Sequence, residues 1–278
     1  MIKDIMVHLD GDDPDELRLG HAARIAEIFE AHVTGLYTNI VADPLIAYEA
    51  GATGVELAED LLARAREAGD RVARVLDERL DKLVPRAELR RIDVYSNELA
   101  QVIARQTRWI DIFVAMHPFD GIKVEHGQTV VDAALFGSAR GLYVVPDGPV
   151  ASGPYRRILI AWNNSREAAR ALAEATPFLK RADRIYLALV DEDNAEARGE
   201  ETAADIGRHL DRLGLATEIR HIAGWRSAAE ALLNEIQRLG VDLMVMGGYG
   251  HSRVRERVFG GTTRAFLTRS PIPVLMAH

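Results

Sequence analysis

Two periodicities alternate along the chain. Short apolar runs at 5–9, 32–37, 89–95, 111–116 and 141–145 read as strands. Between them lie longer stretches whose apolar positions recur every three or four residues, as on one face of a helix. Leu17, Ala22, Ile25, Ile28 and Phe29 mark such a helix over 16–30. A long charged helix is expected over 55–82 and a further one over 98–107. Ser96 or Asn97 can cap the latter, because their side-chain oxygens accept from the free amides of a first turn. The same order returns in the second half, with strands at 157–162, 184–190, 217–222, 242–246 and 272–276. Its helices are expected over 165–179, 200–213, 227–239 and 264–268.

Strands alternating with helices imply right-handed crossovers and a mainly parallel sheet covered on both faces. The expected fold is α/β: two tandem doubly wound domains, each a five-stranded mainly parallel sheet with helices on both faces. The domains are placed at 1–148 and 155–278. Pro146, Gly148, Pro149, Gly153 and Pro154 interrupt both periodicities and mark the linker. Such sheets bind ligands beyond the carboxyl ends of their strands, where the strand order reverses, so the places to search lie just after the first and fourth strands.

Composition narrows the function classes. With 48% hydrophobic and 27% charged residues, the 278-residue chain can bury a core rather than stay disordered. There is no cysteine, which excludes disulfides, thiolate metal sites and a cysteine nucleophile. A formal net charge of −8 argues against general nucleic-acid binding, which depends on neutralising phosphates. The opening residues run straight into a strand with no signal-peptide pattern, and runs such as 241–246 fall far short of the about 20 residues of a membrane span. A cytoplasmic protein with no membrane association is expected.

One stretch carries chemistry. After the fourth strand of the second half come Gly247, Gly248, Tyr249 and Gly250, then nine residues, then Gly260, Gly261, Thr262 and Thr263 at a helix start. Glycines at 247 and 250 let the main chain turn and approach a ligand without a Cβ in the way. Gly260, Gly261 and Thr262 sit where free amides and the positive end of a helix dipole favour a phosphate. The hydroxyls of Thr262 and Thr263 add donors. Arg253, Arg255, Arg257, Arg264 and Arg269 add a field of the right sign, although such a run also suits a solvated helix face.

Met246-Gly247-Gly248-Tyr249-Gly250, the nine-residue spacing to Gly260 and the closing Pro271-Ile272-Pro273-Val274-Leu275 resemble the signature of the universal stress protein family. The resemblance covers the whole second half. In the first half it covers strand order and Asp10 but not the glycine loop. It implies a tandem member whose two halves pack as a dimer, a pseudo-dimer able to pair further as a homodimer. It also implies ATP, with or without Mg, as the ligand, or no cofactor at all. By the family pattern, adenosine would rest on Ala161, Trp162 and Asn163 and the base near Leu189 or Val190. Met246, Gly247, Gly250, Gly260, Gly261 and Thr262 would hold ribose and phosphates. Two positions depart from the pattern: Asn163 stands where an acid is usual, and Gly261 where a hydroxyl residue is usual. The first half keeps Asp10 as the acid but follows its fourth strand with Met116-His117-Pro118-Phe119-Asp120-Gly121, too bulky for phosphate, and Gly127-Gln128-Thr129 is a faint trace of the loop. No ATP is expected there; a different ligand near Asp10 and His117 is open.

Other candidates yield to plainer readings. The nine histidines include no pair at the helical spacing of a zinc protease; His117 and His126, flanking the degenerate loop, are the pair to watch, and His251 lies in the glycine loop. Ser165 lacks the turn of a hydrolase nucleophile and suits a helix cap. Glu256 is the one carboxylate of the 247–263 stretch, so the metal-holding acid of a phosphoryl-transfer enzyme is missing. The sequence therefore reads as a stress-response, nucleotide-binding sensor or regulator, at most a slow ATPase. The rivals are an interaction module that binds no nucleotide, its halves joined through their fifth strands, and an ATP-dependent ligase or kinase.

Overall fold

The computed structural model describes residues 1–41, 52–118, 124–190, 196–249 and 261–278. Among the described residues ten strands run in chain order: β1 Asp4–Leu9, β2 His32–Val41, β3 Ala87–Tyr95, β4 Ile112–Met116, β5 Gly141–Val145, β6 Arg157–Ala161, β7 Arg184–Val190, β8 Thr217–Ile222, β9 Leu243–Gly247 and β10 Val274–Ala277. The helices among the described residues are α1 Asp15–Phe29, α2 Ala52–Leu83, α3 Leu99–Gln106, α4 Val124–Gly137, α5 Arg166–Leu179, α6 Glu196–Arg212, α7 Ala228–Leu239 and α8 Thr262–Arg269.

All strands belong to one sheet in the order β3-β2-β1-β4-β5-β10-β9-β6-β7-β8. Each half is parallel and doubly wound, as expected from strands separated by crossover helices. The halves meet where β5 and β10 pair antiparallel, with Val144 opposite Val274 and Tyr143 opposite Leu275. Each fifth strand would otherwise present unpaired main-chain groups, so the junction removes an edge from both halves. Apolar residues of α1, α2, α5 and α6 pack on one face of the sheet, and those of α3, α4, α7 and α8 on the other. With both faces covered, central strands such as β4 and β5 are apolar throughout rather than alternating.

The halves also share side-chain packing. Phe29 of α1 meets Phe178 of α5 edge to face at 4.9 Å between centroids, and Tyr155, just before β6, packs on Phe178 at 5.3 Å. Local details divide. Ser165 caps α5 as expected, its Oγ accepting from the Ala168 amide at 3.1 Å. Ser96 and Asn97 do not cap α3. Residues Ser96–Glu98 form a 3-10 turn, the helix starts at Leu99 with no side-chain cap, and the Ser96 hydroxyl is instead bonded to Nε2 of His126 at 3.2 Å. The exposed flank of α2 carries the i, i+4 pair Asp60 and Arg64 at 2.8 Å. Among the described residues no helix is long and apolar enough to cross a membrane.

Candidate functional site

The strand order reverses between β1 and β4 in the first half and between β6 and β9 in the second, so the two places to look are equivalent in the fold. Their chemistry differs.

In the first half, Asp10 follows β1 but is not presented to a ligand alone. Arg18, buried in α1, reaches it with Nη1 at 2.6 Å, Asp12 with Nη2 at 2.9 Å, and Asp15 as well. Asp15 in turn accepts from the amides of Asp10 at 3.2 Å and Gly11 at 2.8 Å, tying the end of β1 to the start of α1. Burial pushes the Asp15 carboxyl above its ordinary range, and the charge of Arg18 works against that rise. Three carboxylates around one guanidinium form an ion-pair cluster whose charge Arg18 meets from within. Beside it lies a cavity of about 70 Å³ that brings together Asp10, His8, His117 and His126. His8 is held by the Thr38 hydroxyl at 2.8 Å. The histidines singled out in the sequence thus share a cavity with Asp10, but one far below the roughly 300 Å³ at which small-molecule pockets begin.

In the second half, Trp162 extends the pairing of β6 by one bond, its amide donating to the Ala188 carbonyl at 2.9 Å. Asn163 is exposed. Its Oδ1 accepts from Ser165 Oγ at 2.8 Å and from the Ser165 amide at 3.3 Å, which closes the turn around the left-handed Asn164. Trp162 and Leu189 lie in the apolar layer under α5 and α6. Ala161, Val190 and Met246 lie on the opposite face of the sheet. The expected adenosine residues are therefore gathered at one edge but split between its faces. The Trp162 indole N–H is buried and has no hydrogen-bond partner among the described residues.

Gly247 and Gly248 are explained by packing. A Cβ on Gly247 would stand 2.7 Å from the Ala168 nitrogen, in the first turn of α5, and one on Gly248 would stand 2.8 Å from a methyl of Leu135 in α4. Tyr249 then takes a left-handed conformation at φ 55° and donates its amide to Thr263 Oγ1 at 3.0 Å. That bond latches the start of the glycine loop to the N-terminus of α8, where Gly261 is the cap residue and Thr262 the first helical one. Thr263 is buried and spends its hydroxyl on this latch. Gly250 and Gly260 lie outside the described residues, as do His251, Arg253, Arg255, Glu256 and Arg257.

Sequence reasoning missed several residues here. Glu167 is buried beside Gly247 in the first turn of α5; burial disfavours its charge, but the bond from Arg166 and its own backbone amide hold its pKa below the usual range. His278 donates its Nδ1–H to the Gly248 carbonyl at the edge of the loop at 3.0 Å, and its ring lies 4.7 Å from that of Phe136. The cluster around Arg18 had one legible signal, the i, i+3 spacing of Asp15 and Arg18.

Comparison with known proteins follows the same division of the chain. Residues 154–278 match the model of the Universal stress protein family. A universal stress protein of Synechocystis is 28% identical over 120 residues, which is 43% of this chain and 41% of that protein. The chain thus spans about two fifths of the length of that curated relative. Over the whole fold, the chain resembles a universal stress protein of Archaeoglobus fulgidus with a TM-score of 0.72 at 16% identity, covering 99% of this chain and 95% of the other. A functionally unknown protein of Pseudomonas aeruginosa gives a TM-score of 0.61 at 17% identity, with 99% and 92% covered. At these identities the structural likeness establishes the shared fold.

Proposed function

We propose that this chain, whose residues 154–278 form a universal stress protein domain, is a stress-response regulator that binds a nucleotide of the ATP class at the carboxyl edge of its second half. The observation that carries the reading is the latch between the Tyr249 amide and Thr263, which ties the end of the Gly247–Tyr249 turn to the start of α8. The first amides of a helix lack intrahelical acceptors and, with the helix dipole, suit a phosphate. Asn163, with its Oδ1 engaged by Ser165, offers its amide N–H groups to a base or ribose. In the first half the corresponding acid is tied to Arg18, which supports a single nucleotide per chain. Glu167 is engaged by Arg166, which favours binding and sensing over rapid hydrolysis.

The test is mass spectrometry of nucleotide released from freshly purified protein, with ATP titrated into wild type and Thr262→Glu. An acid in the first turn suits the helix itself, but places negative charge where the phosphates would lie. ATP bound by wild type and at least about tenfold more weakly by the variant is the expected result. A protein that emerges empty and ignores ATP overturns the reading and leaves the protein-interaction module in its place.

A further inference from the structure

Helices α1 and α5 hold equivalent places, each following the first strand of its half. The outer face of α1 is covered by the chain's own connection between β5 and β6. Val150 lies so close to Gly20 that a Cβ there would stand 2.9 Å from its methyl group. Arg24 donates through Nε to the Gly153 carbonyl at 2.8 Å, and its guanidinium lies 3.9 Å from the centroid of the Tyr155 ring. A non-helical segment with one aliphatic anchor thus covers α1 around Gly20 and Arg24.

On α5 no described residue covers the matching surface. It forms a groove of about 850 Å³ with Leu172, Ala173 and Pro177 on its floor and Phe29 of α1 at one wall. Lys180, Arg181 and His209 stand around it, and among the described residues no Asp or Glu lines it, although the chain carries a net charge of −8. Among the described residues no carboxylate pairs with Lys180 or Arg181; Arg181 instead lies over the Phe29 ring at 5.2 Å. Apolar floor and basic rim together select an occupant that is aliphatic in the middle and acidic at its flanks.

We propose that this groove docks an extended peptide of a partner protein, carrying an aliphatic side chain between acidic residues. The covered face of α1 favours a peptide over an amphipathic lipid, since there the same kind of helix surface takes main chain and a valine. The site is separate from the glycine-loop edge and does not depend on nucleotide binding.

The test uses the full chain and a fluorescein-labelled peptide copying residues 146–155 with Gly148→Glu and Ser152→Glu, so that carboxylates flank Val150. A control peptide carries Gly148→Lys and Ser152→Lys. Fluorescence anisotropy should saturate with the acidic peptide and be at least about fivefold weaker with the lysine peptide, since each 1.4 kcal/mol is tenfold in affinity. Binding should be lost in Ala173→Trp, which fills the floor, and fall about fivefold in the double variant Lys180→Glu/Arg181→Glu, whose exposed positions leave the fold intact. Thermal melting of both variants controls for folding. Failure of the acidic peptide to saturate by about 1 mM, or equal binding by Ala173→Trp, overturns the proposal. Laurate that binds wild type but not Ala173→Trp, where the peptide does not saturate, makes the groove a lipid site and overturns it as well.

Discussion

The phenol oxygens of Tyr143 and Tyr155 lie 2.7 Å apart in the buried layer where the two halves join. Tyr143 belongs to β5, Tyr155 to the connection before β6, and His21 of α1 completes the chain with Nδ1 2.9 Å from the Tyr143 hydroxyl. Burial pushes the Tyr155 hydroxyl up to about 12 and that of Tyr143 well above its ordinary value, so both remain protonated and available as donors. Phe178 and Phe29 surround them, so this polar thread runs through the aromatic contact between the halves.

Removing the Tyr143 hydroxyl should cost more than removing that of Tyr155. Tyr143→Phe leaves two buried partners unsatisfied, His21 Nδ1 and the Tyr155 hydroxyl, at about 1–3 kcal/mol each; Tyr155→Phe leaves one. Urea unfolding of both variants gives the comparison. Equal losses would mean that the His21 bond contributes nothing.

The pH dependence of stability should carry a signature of His21. Burial, with Arg24 nearby, lowers its pKa from 6.5 to about 4. Below pH 6.5 the unfolded chain binds a proton that the folded one refuses, so this contribution is full above 6.5 and is lost as pH falls towards 4. The shift corresponds to about 3 kcal/mol. In denaturant titrations, the stability difference between wild type and His21→Leu should therefore narrow by that order between pH 7 and pH 4. A difference that stays constant over this range would assign His21 no titrating role.

Arg18→Met should destabilise the protein by about 3–5 kcal/mol, the usual consequence of leaving buried charge unpaired. The deficit should shrink on acidification. Without the guanidinium, the folded pKa of Asp15, already raised by burial, rises further above its unfolded value, so protonation relieves the strain as pH falls. Melting temperatures at pH 7 and pH 5 decide it, and a deficit that grows at pH 5 would contradict the account.

Trp162 should report nucleotide at the second half. Its indole N–H is buried after β6 and unpartnered among the described residues, whereas Trp109 and Trp225 are exposed. In a Trp109→Phe/Trp225→Phe background, ATP should shift or quench the remaining emission with the same midpoint as direct binding. Binding without any spectral change would place the ligand away from Trp162.

Much of this architecture was legible along the chain. The strand and helix order followed from apolar periodicity, because a period of two or of three to four is set by local backbone geometry. Ser165 was readable as a cap for the same reason: its acceptor serves an amide three residues on. Ser96 failed as a cap because a more distant residue, His126, took its hydroxyl. At the site, Gly247 was read as letting the main chain approach a ligand, and Gly248 stood beside it in the same glycine stretch. Their missing side chains make room for α5 and for Leu135, contacts between segments far apart in sequence that no spacing rule encodes.

By itself, the sequence determined two repeated α/β units, a core covered on both faces and a glycine-rich stretch after the fourth strand of the second. Only the tertiary structure decided that the fifth strands pair antiparallel with Val144 opposite Val274, that Arg18 engages Asp10 in the first unit, and that the connection between the units covers α1 while no described residue covers the matching groove of α5. The reason is physical. Periodicity records which side of an element is buried, whereas pairing of edges, neutralisation of a charge and coverage of a helix face depend on which remote segment arrives beside it.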